Sequence, residues 1–231
     1  MKTIGLIGGM SWESTLGYYT ALNEGAKRRL GGLHSAKIAI YSVDFAPVAA
    51  MQSSGDWTSA AKVMCDAARR VEAAGADILL IGANTMHKVA PEVAQAINIP
   101  LLHVADATAG VLAENGIKTV GLLGTAFTME QNFYRGKLEK DHDLDVLIPD
   151  ARDREIVHRI IYEELCLGRL EAASRTEFLR IIDGLAARGA EGVILGCTEI
   201  GMLVTQADTG MKLFDTTAIH AAKAVEFATS E

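Results

Sequence analysis

Short apolar runs rich in β-branched residues alternate along the chain with longer stretches whose apolar positions recur at helical spacing. The runs at 3–7, 36–42, 78–81, 101–103, 119–123, 145–148 and 192–195 predict strands, and the stretches 14–30, 57–73, 105–115, 152–167 and 172–188 predict helices. Strands that are apolar on both faces and separated by helices build parallel sheets covered by helices, so the fold class is α/β. No run approaches the roughly 18 apolar residues that cross a bilayer, and no membrane partner is expected.

The chain also resembles itself. Residues 2–9, KTIGLIGG, return as KTVGLLGT at 118–125, and residues 75–84, GADILLIGAN, return as GAEGVILGCT at 189–198. The offsets, 116 and 114 residues, are nearly constant and the order is kept. Two similar α/β halves are therefore expected. In this alignment Gly82 matches Gly196, Ala83 matches Cys197, and Asn84 matches Thr198. Both segments fall at the carboxyl end of a buried strand, where open α/β sheets bind ligands. Ala83 and Cys197 become quasi-symmetric neighbours if the halves face each other.

Two facing groups suit proton transfer on both sides of a carbon acid. The α-proton of an amino acid is weakly acidic, so the base must be held in place and the carbanion stabilised through its carboxylate. A cysteine can serve if its ionisation falls toward neutrality, and a helix beginning after Cys197 is expected to lower it. Asn84, Thr85, Thr125 and Thr198 supply donors for a carboxylate.

Composition narrows the partners. A formal charge of −7, with no basic patch and 6% aromatic residues, argues against nucleic acid. Cys65, Cys166 and Cys197 are odd in number and widely spaced, which gives neither a disulfide framework nor a zinc pattern. Cys65 and Cys166 read as small core residues, and the six histidines, without metal spacing, read as structural or surface residues. The N-terminus carries no recognisable secretory signal, so a cytoplasmic location is expected. The glycines at 5, 8 and 9 fail the dinucleotide-binding spacing, and Asp44 comes too late for its acidic partner.

Four segments, GGMSWEST at 8–15, NTMH at 84–87, GCTE at 196–199 and FDTTAIH at 214–220, resemble the cofactor-independent aspartate/glutamate racemases in the same order. The resemblance implies two α/β domains related by a pseudo-twofold axis, 1–103 plus 211–231 and 104–210. It also implies an active site in the interdomain cleft, an amino-acid substrate, no cofactor, no metal and a homodimer. Carried over, Cys197 is the acid/base for one face, Asn84, Thr85 and Thr198 hold the α-carboxylate, and Met10 lines the pocket. Gln52, on an expected polar turn at 51–55, is a candidate contact to the substrate side chain.

Two positions depart from the family pattern. Its first cysteine precedes the Asn-Thr pair, and here that position is Ala83, which cannot transfer a proton. Many aspartate-specific members have Lys near 164–167, where this chain reads ELCL; Glu164 is a candidate contact to a different side chain. Besides racemisation, two readings stay open. One is a one-cysteine reaction such as decarboxylation, as in the arylmalonate decarboxylases of the same superfamily. The other is an impaired homologue that only binds a small molecule.

Overall fold

The computed structural model describes residues 1–230. In chain order it runs β1 Ile4–Gly8, α1 Trp12–Leu30, β2 Ile38–Ser42, α2 Phe45–Ser54, α3 Trp57–Ala73, β3 Ile78–Ile81, α4 Ala90–Gln95 and α5 Val104–Glu114. It continues with β4 Thr119–Gly124, α6 Ala126–Glu130, α7 Lys137–His142, β5 Asp145–Leu147, α8 Ala151–Glu163 and α9 Ala172–Ala187. The last elements are β6 Gly192–Gly196, α10 Ile200–Leu203, β7 Leu213–Asp215 and α11 Thr216–Thr229. Two parallel sheets result, ordered β2-β1-β3 and β5-β4-β6-β7, each flanked by helices. The α/β architecture read from the sequence is the one observed.

The chain divides into two compact units: Met1–Val104 with the segment from His220 onward, and Ala105–Ile219. The first three strands of each sheet follow the same order, the first strand of the half lying between the second and third. Equivalent positions also bond equivalently. Leu79 N donates to Pro100 O at 2.9 Å, and Val193 N donates to Lys212 O at 2.8 Å. In the first unit this neighbour is a single bridge, Leu79 to Leu101, rather than the strand expected at 101–103. In the second it is β7, a strand of three residues that the sequence pattern did not suggest. Because β7 pairs with β6, residues 211–219 belong to the second unit and not, as expected, to the first.

In the first unit the sheet is apolar on both faces, as a parallel sheet covered on two sides must be. Ile4, Leu6, Ile78 and Leu80 face Tyr18 and Leu22 of α1 and Ala221, Ala224 and Val225 of α11. Ile7, Leu79 and Ile81 face Ala60, Met64, Ala67, Ala68 and Val71 of α3. Each large side chain so buried stabilises the unit by about 1.5–3 kcal/mol. Gly9 closes the strand end in a conformation reserved for glycine, with φ +90° and Val43 carbonyl where a Cβ would sit. In the second unit Val120, Leu122, Leu123, Val193, Ile194 and Leu195 form the buried strands, with Val157, Ile160, Phe178, Ile181 and Ile182 buried on their helices. No helix of the described residues is long and apolar enough to cross a membrane.

Candidate active site

Each unit presents candidate residues where strands end, with Gln52 in α2 and Glu164 at the end of α8 instead. In the first, the Gly82 amide donates to Ile7 O at 2.8 Å, holding the end of β3 against β1 before the chain turns through Ala83, Asn84 and Thr85. Asn84 and Thr85 are buried, and Thr85 opens a 3-10 turn that runs to Val89. Met10, Ala83 and Met86 belong to one apolar cluster. Gln52 joins it, its Nε2 contacting Met86 Sδ at 3.0 Å. The polar turn expected at 51–55 is instead the last turn of α2. Its proline, Pro47, sits in the first helical turn, where no amide is needed, and Asp44 caps that turn.

Behind this strand end lie paired histidines that the sequence left as structural. Val104 N donates to His87 Nε2 at 3.3 Å, and His87 Nδ1 donates to Ala83 O at 3.0 Å, which fixes one tautomer. Tyr18 OH donates to His220 Nδ1 at 2.8 Å, and His220 Nε2 donates to Leu102 O at 2.9 Å. Full burial, and then the neighbouring His87, press the His220 imidazole down to about 3, so it stays neutral at ordinary pH.

In the second unit Gly124 and Gly196 are register partners at the ends of β4 and β6, and Thr125 and Cys197 follow them. Only glycine fits at 196: a Cβ there would lie 2.8 Å from Leu123 carbonyl. Thr125 caps α6, accepting from Thr128 N at 3.3 Å. Cys197 is buried, with 9% of its surface exposed, and its thiol donates to Glu199 Oε2 at 2.9 Å. Thr198 Oγ1 donates to the same oxygen at 2.7 Å. Glu164 lies at the end of α8, where Ser174 Oγ donates to its Oε2 at 2.5 Å and Arg159 lies at 3.7 Å.

The expectation that a following helix lowers the Cys197 thiol is overturned. Burial, then the Glu199 carboxylate, then Cys166 hold it well above the ordinary thiol range. The helix that follows, α10, has four residues and begins only at Ile200, so its dipole is small beside a full charge at 2.9 Å. Glu199 is the residue that sequence reasoning missed. Its carboxylate is 1% exposed, in a stretch otherwise apolar or small, and buried acidic groups of this kind are candidates for a functional site.

The sequence profile of the Asp/Glu/hydantoin racemase family matches residues 7–224, and the chain belongs to that family. A structure from Yersinia pestis, assigned as an Asp/Glu racemase, is 52% identical, with both chains covered in full and a TM-score of 0.91. An aspartate racemase homologue from Pyrococcus horikoshii OT3 is 36% identical, again over the whole of both chains, with a TM-score of 0.85. The broad specificity amino-acid racemase RacX of Bacillus subtilis (strain 168) is 21% identical over 171 residues, 71% of this chain and 70% of that one.

Proposed function

We propose that the protein is a cofactor-independent amino-acid racemase that removes and returns the α-proton, with Cys197 as its acid/base. The observation that carries this reading is the buried thiol at the end of β6 with a carboxylate 2.9 Å from its sulfur. The thiolate is the base and the thiol the acid, and Glu199 is the group that accepts the thiol's proton. The substrate is proposed to lie in a cleft between the units, which a pseudo-twofold axis would relate, with Ala83 opposite Cys197. Asn84, Thr85, Thr125 and Thr198 are proposed to hold the α-carboxylate, where donors also stabilise the carbanion. Met10, Gln52 and Glu164 are proposed to meet the rest of the substrate. A homodimer and a cytoplasmic location remain part of the proposal.

Ala83 favours a second reading, in which Cys197 protonates a carbanion on one face only, as in decarboxylation. The test is α-proton exchange in heavy water with a panel of amino acids, for the native chain and for Cys197→Ala. Exchange that the substitution abolishes supports the racemase reading. Full activity in Cys197→Ala overturns the assignment.

A further inference from the structure

We propose that Cys166 exchanges protons with Cys197 through the Glu199 carboxylate, resetting the acid/base thiol after each turnover. The inference rests on the proposed role of Cys197. Glu199 holds a thiol on each oxygen: Cys197 Sγ donates to Oε2 at 2.9 Å and Cys166 Sγ donates to Oε1 at 3.6 Å. The carboxylate and Cys197 are buried, whereas Cys166, on the short turn Leu165–Leu167 after α8, is half-buried. The three groups therefore lead from a buried acid/base toward the surface. Sequence reading placed Cys166 as a small core residue, but its sulfur has a carboxylate partner.

A fourth acid faces the same group. The Tyr162 hydroxyl is held well above its ordinary range by burial and by Cys197, Cys166 and Glu199. Each ionisation in this cluster opposes the next, so moving one proton along it costs less than accumulating a second charge.

Ala83 makes such a path necessary. A racemase with two thiols ends a turnover with the two protonation states exchanged, ready for the reverse reaction. With one thiol, Cys197 ends protonated and must return its proton to solvent before it can act as a base again. The steps balance without an oxidant. Cys197 thiolate forms its S–H bond as the Cα–H bond breaks, and the electron pair stays on carbon. The thiol then passes that proton to Glu199 Oε2. Cys166, having released its own proton to water, takes the proton once the carboxyl group has turned to present it. The net result is one proton moved from Cys197 to water. Run backwards, the same path recharges Cys197 if it serves as a proton donor only.

Cys166 and Glu199 are positioning and relay residues, and the test must read proton movement rather than folding. Cys166→Ser keeps the size and hydrogen bond of the side chain but ionises far less readily. Alkylation of Cys197 by iodoacetamide, followed by peptide mass spectrometry across neutral to alkaline pH, reads the coupling without any substrate. Cys166→Ser should move the Cys197 midpoint to lower pH, because a neighbouring ionisable thiol is gone. Superimposable curves overturn the proposal. In heavy water, with an amino acid that the native chain exchanges, Cys166→Ser should lower kcat by roughly tenfold or more. KM should stay unchanged, and added imidazole should restore part of the rate. Native kcat in the Ser variant, or a loss confined to KM that imidazole does not restore, overturns the relay. If the native chain exchanges no amino acid, the racemase reading fails, while the alkylation curves still decide whether the two thiols share protons.

Discussion

Cys197 Sγ and Glu199 Oε2, two residues apart in the chain and both buried in the second unit, lie 2.9 Å apart. Just before them, Gly196 lets β6 end tightly against β4, at a point where a Cβ would lie 2.8 Å from the Leu123 carbonyl. The thiol donates its proton to a hydrogen bond with the carboxylate, and the carboxylate's charge, after burial, is the main influence holding that proton on sulfur.

Glu199→Gln should therefore lower the pH at which Cys197 becomes reactive. The carboxylate raises the thiol by its charge and by accepting its hydrogen bond, and glutamine keeps the shape but removes the charge. The midpoint of Cys197 alkylation against pH is the measurement, and it should move down. Exchange activity should nonetheless fall about 10²–10⁴-fold, the usual range for losing a proton acceptor. An unchanged midpoint would show that Glu199 does not set the thiol.

Acid stability should carry the mark of His220. Its ionisation lies near 3 in the folded chain and near 6.5 when unperturbed, so below pH 6.5 the unfolded chain binds a proton that the native chain refuses. The stabilisation is complete above that pH and declines as pH falls toward 3, by up to about 1.4 kcal/mol per pH unit. His220→Gln should cost about 1–3 kcal/mol at neutral pH by disturbing the Tyr18 and Leu102 hydrogen bonds. It should also flatten the decline between pH 6.5 and 5, above the range in which most carboxylates titrate. Denaturant melts of both proteins across that window decide the point; parallel slopes would contradict it.

Ala83→Cys addresses the proposed opposite face. Ala83 is 7% exposed and packs with Met10 and Met86, so an added sulfur should cost less than about 1.5 kcal/mol if the cluster accommodates it. Racemisation of a substrate that already exchanges should rise, and exchange should become more nearly equal for the two enantiomers. Ala83→Ser is the control, because its hydroxyl fills similar space and ionises far too weakly. Equal rates in the Cys and Ser variants would mean that residues 83 and 197 do not share a substrate.

Much of this was legible because parallel strands write themselves as short, continuous apolar runs. The duplication was legible because two such runs, with their glycines, recur at nearly constant offset. Strand β7 was not: of Leu213, Phe214 and Asp215 only Phe214 is buried, and pairing with β6 makes the strand. Helix α2 was hidden by Pro47 and a serine-rich end, both of which a helix tolerates at its termini. Cys197 stood out through its repeat position. Glu199 and Cys166 did not, since a carboxylate bridging two thiols depends on the turn Leu165–Leu167 lying against the segment after β6, 33 residues further along the chain.

The most direct test of the account follows deuterium into each enantiomer of a panel of amino acids separately, in heavy water, with the native chain and with Cys197→Ala. With a thiol at residue 197 and none at 83, the native chain should exchange the α-proton of one enantiomer much faster than that of the other. Cys197→Ala should fold normally and lose exchange by about 10²–10⁴-fold or more. Exchange that survives in Cys197→Ala, or equally fast exchange from both enantiomers of the native chain, would contradict the assignment of a single thiol as the acid/base.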